Sequence, residues 1–179
     1  MDTLKDPIVQ NGDAVLRQTA SPIAKKDITS RTVRGLISRM KKVLVKEPHG
    51  VGLAACQLGE PLQLFIISGR AFATDTTEKE QEEKHQPDMV VINPVLVRNS
   101  KKQKEMSEGC LSVRGKYGAV MRYEKVAIRA LDESGKPFVY NASGLPAHVI
   151  QHEMDHLKGL LFIDKTKILE EWGDDNHEE

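Results

Sequence analysis

Residues 151–157, Gln-His-Glu-Met-Asp-His-Leu, constrain this chain more than any other stretch. His152 and His156 lie four positions apart, so on a helix both imidazoles project from one face and can share a metal ion. Glu153 is one step round that helix, where a carboxylate reaches water on the ion without being a ligand. This is the helical His-Glu-x-x-His pattern of metal-dependent hydrolases, which names a cofactor, a reaction class and a general base together. The flanks suit a helix. Gly144 precedes it, Pro146 fits a first turn where its missing N–H would be unpaired anyway, and Gly159 ends it after three to four turns.

Two histidines do not complete a catalytic site of this type, which needs a third protein ligand and an open position. Downstream stand Glu170, Glu171 and His177, in a segment with little apolar residue to hold it rigid. Upstream stands Cys110 within Glu108-Gly109-Cys110-Leu111-Ser112, flanked by glycine and small residues just before a strand. Cys110 is the favoured ligand. His148 extends the row to 148-152-156, but eight residues span about 12 Å of helix axis, too far for one ion. It reads as pocket wall or helix-face packing.

The rest of the chain reads as α+β, with antiparallel β-sheets around a central metal-binding helix. Val33, Leu36, Ile37, Met40, Val43 and Leu44 recur at helical spacing over 30–46, capped by Thr29 or Ser30 and ended by Pro48-His49-Gly50. Leu62 to Ile67 is a strand-length apolar run, and Met89–Ile92 another before Asn93-Pro94. Residues 119–131 alternate as one strand, Asp132-Glu133-Ser134-Gly135 turns, and Pro137–Ala142 returns as a hairpin. The basic run Lys101-Lys102-Gln103-Lys104 reads as a solvated turn, and the charged stretch 73–88 as a surface loop. No repeat or linker divides the chain, so 1–179 is expected to be a single catalytic domain with a short tail at 165–179.

Lys+Arg and Asp+Glu both number 26, so net charge is zero and gives no electrostatic argument for a nucleic-acid or membrane partner. No apolar run approaches the ~20 residues that cross a bilayer. The opening Met1-Asp2-Thr3-Leu4-Lys5-Asp6 carries two acids and no apolar core, which argues against a secretory signal or an Arg-rich transit peptide. A cytoplasmic location is expected, although a processed organelle protein would look the same. Cys56 and Cys110 are then expected to stay reduced.

Three segments in order carry a family resemblance: Gly50-Val51-Gly52-Leu53-Ala54-Ala55-Cys56-Gln57, Glu108-Gly109-Cys110-Leu111-Ser112, and Gln151-His152-Glu153-Met154-Asp155-His156-Leu157. They resemble the signature motifs of peptide deformylase, and the likeness spans about residues 8–163. The resemblance implies hydrolysis of the formyl group from the N-terminal formylmethionine of newly made proteins, with formate released. It implies one divalent ion, Fe²⁺ in the cell, with Zn²⁺, Ni²⁺ or Co²⁺ tolerated. The partners it implies are N-formylmethionyl nascent peptides, with the ribosome as a further candidate.

Cys110, His152 and His156 would then hold the metal, and Glu153 would take and return the proton. By the same resemblance, the Gln57 amide and the Leu111 N–H would receive the negative charge that grows on the formyl oxygen. Gly50 and Gly52 would let backbone approach the substrate, and Val51, Leu145, His148 and Val149 would line the methionine pocket. Glu108 and Arg122 would pair to brace the cysteine strand, and Gln151 would support the metal shell. Three residues depart from the family pattern: Cys56 and Arg114 where proline is usual or frequent, and Tyr117 where some members carry arginine. Two other readings compete. One is an endopeptidase whose third ligand lies downstream. The other is a non-catalytic domain that keeps the metal and binds nascent chains.

Overall fold

Leu64-Phe65-Ile66-Ile67 sets the layout, because all four residues are buried and a strand apolar on both sides must be covered on both sides. In the computed structural model, which describes residues 6–72 and 86–171, this strand lies inside a five-stranded antiparallel sheet. The strands are β1 (Gly52–Ala54), β2 (Leu64–Ile67), β3 (Met89–Asn99), β4 (Gln103–Cys110), β5 (Val113–Tyr123), β6 (Lys125–Leu131), β7 (Pro137–Ser143) and β8 (Glu170–Glu171). The large sheet runs β1-β2-β3-β6-β7, and a second sheet runs β4-β5-β8. Helices α1 (Arg31–Lys46) and α2 (Gly144–His156) complete the α+β fold.

Alternation along β2 and β3 assigns each helix its side. Leu64, Ile66, Val90 and Ile92 pack with Val33, Leu36, Met40 and Leu44 of α1. Phe65, Ile67 and Val91 pack with Ala147, Val149 and Ile150 of α2. The metal-motif helix is therefore buried against one face of the large sheet. Its other side meets the small sheet, where the Gln151 amide accepts from Tyr123 N and donates to Tyr123 O, both at 2.9 Å. Gln151 thus clips the helix to the end of β5 and does not support the metal shell.

Of the two cap candidates, Ser30 holds the start of α1, accepting from Val33 N at 3.2 Å. The hairpin is as expected: β6 pairs with β7 over Lys125 to Leu131, and Gly135 turns it at φ 81°.

Three expectations need correction. Residues 119–131 are not one strand: β5 ends at Tyr123 and β6 begins at Lys125 in the other sheet. Alternation reports which face is buried, but not which neighbour a strand pairs with. The strand at Met89 continues past Asn93-Pro94 to Asn99, because a register shift between Ile92 and Val95 leaves Pro94 no ladder bond to donate. Asn93 holds that irregularity at φ 50°, its amide bonding both Ile23 N and Ile23 O. Finally, Gln103 and Lys104 are not in a turn but open β4. Of the remaining expectations, the 73–88 loop lies outside the described residues over 73–85, as does the tail from residue 172 on.

Candidate metal centre

Cys110 ends β4, while His152 and His156 lie on α2, so two sheets and a helix must pack before the three can meet. They do meet: one ligand atom from each lies within 4.8 Å of the others, and Cys110 Sγ is 3.3 Å from His156 Nε2. Donors to a tetrahedral ion with bonds of ~2.0–2.3 Å stand about 3.5 Å apart, so the cluster fits one such ion. A thiolate with two imidazoles is a donor set suited to Zn²⁺ and to Fe²⁺, Co²⁺ or Ni²⁺.

The protonation of His156 fits that use. Burial, and then the charges of His152 and Arg122, hold His156 well below its ordinary pKa, so it presents a lone pair at neutral pH. For His152 burial also opposes charge, but bonds to Cys110 and Glu108 outweigh it and raise the pKa. That hydrogen bond, His152 Nδ1 to Glu108 Oε2 at 2.7 Å, leaves Nε2 to face the ion.

Glu108 is the hub beneath the ligands. Its two oxygens accept from Arg122 Nε at 2.7 Å and Nη2 at 3.0 Å, a two-pronged pair buried on both sides. His148 Nε2 lies 2.6 Å from Glu108 Oε1, out of line for a hydrogen bond but close enough to feel its charge. Burial alone would raise the Glu108 pKa, yet His148, His152 and Arg122 hold it far below the ordinary carboxylate range. Arg122 also bonds Asp155 Oδ2, and Lys165 Nζ reaches the same oxygen at 2.5 Å. The expected brace between Glu108 and Arg122 is present, and it extends to α2 through Asp155.

A cleft of about 1090 Å³ opens over this cluster. Its walls are the loop after α1 with Gly50 and Val51, Gly52 at the start of β1, Cys110 at the end of β4, and Leu111 in the β4–β5 turn. Leu145, His148, Val149, His152 and Glu153 line it from α2. Every residue proposed for catalysis or substrate contact therefore borders one space, with His156 behind it. Glu153 is 3% exposed, its Oε2 has no partner among the described residues, and burial pushes its pKa up to about 7. A carboxylate poised there accepts and returns protons near neutral pH.

Gln57 is held rather than exposed. Its Oε1 accepts from Ala54 N at 2.8 Å, which fixes the amide so that Nε2 points at Cys110 Sγ (3.5 Å) and Ser112 Oγ (3.1 Å). Leu111 follows Cys110 in the turn, its carbonyl accepting from Gln10 Nε2 at 3.1 Å.

Two of the competing ligands, Glu170 and Glu171, fall away on placement. Glu170 and Glu171 are exposed on β8, paired with Tyr117 and Lys116 of β5, outside the cluster. His177 lies outside the described residues. Cys56 is fully buried, and burial pushes its thiol up to about 12, so it packs as a small apolar group. Arg114 lines the cleft and pairs with Glu47 at 2.9 Å and Asp6 at 3.0 Å.

Sequence reasoning missed Ser112, whose hydroxyl shares the Gln57 amide, and Arg70, which bonds the loop after α1. Arg70 stands alone in an undistinguished stretch, so nothing local marked it. For Gly52 the structure adds a reason beside close approach to substrate. A side chain there would collide with Glu153 Oε1 and come within 2.9 Å of Val149 Cγ1, so the glycine makes room for the carboxylate.

Known proteins resemble this chain in sequence and in fold. The family model described as polypeptide deformylase matches residues 5–172. The chain is 41% identical over 162 residues to peptide deformylase 1A, chloroplastic/mitochondrial, of Arabidopsis thaliana, covering 88% of this chain and 60% of that one. The chain thus spans about three fifths of that plant relative's length. With the peptide deformylase of Rhizobium meliloti it shares 40% identity over 158 residues, covering 88% and 83% of the two chains. The crystal structure of a peptide deformylase from Legionella pneumophila superposes with a TM-score of 0.75 at 38% identity, covering 89% and 85%.

Proposed function

The chain belongs to the polypeptide deformylase family, and from that premise we propose that it removes the N-formyl group from formylmethionine at the start of newly made proteins, releasing formate. The observation that carries this reading is the convergence of Cys110, His152 and His156 at the floor of a cleft that Glu153 and Gln57 also border. A purely structural metal site would need neither the poised carboxylate nor the oriented amide.

In this proposal Cys110, His152 and His156 hold one divalent ion, which is Fe²⁺ in the cell, with Zn²⁺, Ni²⁺ and Co²⁺ accepted. When bound, that ion supplies Lewis acidity, acidifying water and polarising a carbonyl. Glu153 takes the proton from the attacking water and delivers it to the departing amine. Gln57 Nε2 and the Leu111 N–H receive the negative charge growing on the formyl oxygen, a role worth about 10²–10³ in rate for one such donor. Val51, Leu145, His148 and Val149 wall the methionine side chain, and Gly50 keeps the loop close against Leu111, since a Cβ there would meet Leu111 Cδ1 at 3.2 Å. Residues 1–179 act as a single catalytic domain.

The partner is the formylated nascent chain, met at the ribosome. Location follows the substrate: the cytoplasm, or an organelle with its own ribosomes.

The test is formate release from a formyl-Met peptide by protein purified anaerobically, with metal content measured on the same sample. One ion per chain and steady formate release support the reading. A Glu153→Ala variant that keeps near wild-type activity, or metal-loaded protein that releases no formate, would sink it.

A further inference from the structure

The loop after α1 forms a wall of the cleft, yet it has little backbone bonding of its own. Glu47 N donates to Leu44 O at 3.2 Å and Gly50 N to Glu47 O at 3.1 Å, and Pro48 has no N–H to give. Helix ends leave carbonyls short of partners, and here Pro48 O and Gly50 O have no backbone donor among the described residues. A single side chain answers it. Arg70, in the short 3-10 turn Gly69–Phe72 after β2, donates through Nη2 to Leu44 O (3.0 Å), Glu47 O (3.1 Å) and Gly50 O (2.7 Å), and through Nη1 to Pro48 O (2.8 Å). Its Nε is anchored on Ser68 Oγ at 3.1 Å, and Ser68 N in turn donates to Val51 O at 2.9 Å. Five hydrogen bonds thus aim one planar guanidinium at the inside of the loop, and the cation also complements the negative end of α1.

We infer that Arg70 is a positioning residue for the substrate-binding wall: it fixes the 47–50 loop from behind and so sets how tightly the formylated peptide is held. This deepens the deformylase reading and rests on it. Arg70 does not border the cleft or touch Cys110, His152, His156 or Glu153, so it acts only through the loop. The ligands and the base sit on β4 and α2, and Gly52 is held by the β1–β2 ladder opposite Ile67. Loosening the loop therefore weakens substrate binding and leaves the reacting groups in place. Lysine, a point charge without the fork, reaches fewer of the four carbonyls.

Steady-state kinetics of Arg70→Ala and Arg70→Lys, with metal content and hydrogen exchange of the metal-loaded proteins, test this. The expected result for Arg70→Ala is a KM for formyl-Met peptide raised about tenfold or more, kcat within about twofold, and full metal occupancy, the signature of lost uniform binding. Arg70→Lys should fall between the two, and it carries the test if the alanine variant does not fold. Exchange should speed up at residues 47–51 and stay unchanged across α2. A KM within about twofold of wild type overturns the inference, as does a fall in kcat and metal content alongside KM, which would make Arg70 a support of the whole fold. If the wild-type protein releases no formate, the function reading fails on its own, and exchange at 47–51 still decides whether Arg70 fixes the loop.

Discussion

Gly52 and Glu153 are packed so closely that no side chain can stand between them: a Cβ on Gly52 would overlap Glu153 Oε1 and lie 3.0 Å from Glu153 Cδ. The strand that walls the cleft and the helix that carries Glu153 are thus fitted to each other at that carboxylate.

Gly52→Ala is expected to displace the carboxylate without touching the metal ligands. Removing a general base altogether costs about 10²–10⁴ in rate, so a displaced one should lower kcat at least about tenfold. Metal content should stay at the wild-type level. Formate-release kinetics check this, and an unchanged kcat would show that Glu153 has slack the geometry denies.

Glu108→Gln keeps the shape of the hub and removes its charge. His152 then loses the carboxylate that orients its ring, and metal affinity should fall about 10–100-fold. Arg122 is left buried with only Asp155 opposite, and stability should drop toward the lower end of the ~3–5 kcal/mol typical of a broken buried pair. Competitive metal titration and denaturant melts read the two effects separately. Wild-type metal affinity in this variant would contradict the hub role.

Stripping the metal with a chelator should abolish activity and expose one reactive thiol. Cys110 is half-buried at the cleft, whereas Cys56 is enclosed, with its thiol raised to about 12 by burial and then by the charges of Glu153 and Cys110. Thiol titration of chelated protein should therefore label Cys110 while folded and Cys56 only on unfolding. The Cys56→Ala variant should label as wild type does, and loss of the folded-state signal there would reverse the assignment.

Asp164 gives a pH signature away from the metal. Burial would raise its pKa, but bonds from Arg17 (2.5 Å) and the Leu161 N–H (2.8 Å) hold it below the ordinary value. A depressed folded pKa adds stability that is present above the unfolded pKa of ~3.9 and is lost as pH falls through the folded value. Asp164→Asn should thus be less stable than wild type near neutral pH, and the gap should close in strong acid. Urea midpoints measured across that range test it, and a gap that persists below the folded pKa would rule out the charge as its source.

Much of the site was legible because its core is local. The His152–His156 spacing is set by helix pitch, Glu153 is adjacent in sequence, and the Gly109-Cys110 context favoured Cys110 as the third ligand. A cap at Thr29 or Ser30 and the strand-length apolar run Leu62 to Ile67 were legible for the same reason: each is a statement about one residue's near neighbours. The misreadings were all questions of partnership. Alternation across 119–131 could not show that Tyr123 and Lys125 belong to different sheets. Gln151 looked like a support for its neighbour His152 until the chain end of β5 was placed beside it.

The sequence by itself determined the helix, the two histidines and the carboxylate upon it, and it favoured Cys110 as the group that joins them. Only tertiary structure decided what those residues face. Cys110 lies 46 positions from His156 and Gln57 lies 53 from Cys110, separations with no helical or strand period to encode them. Packing α2 between two sheets brought Gln57 to the cysteine, set Glu108 under His152, closed Gly52 on Glu153 and placed Arg70 behind the wall. Backbone geometry fixes neighbours within a turn. Across tens of residues, neighbours are chosen by which apolar faces bury each other.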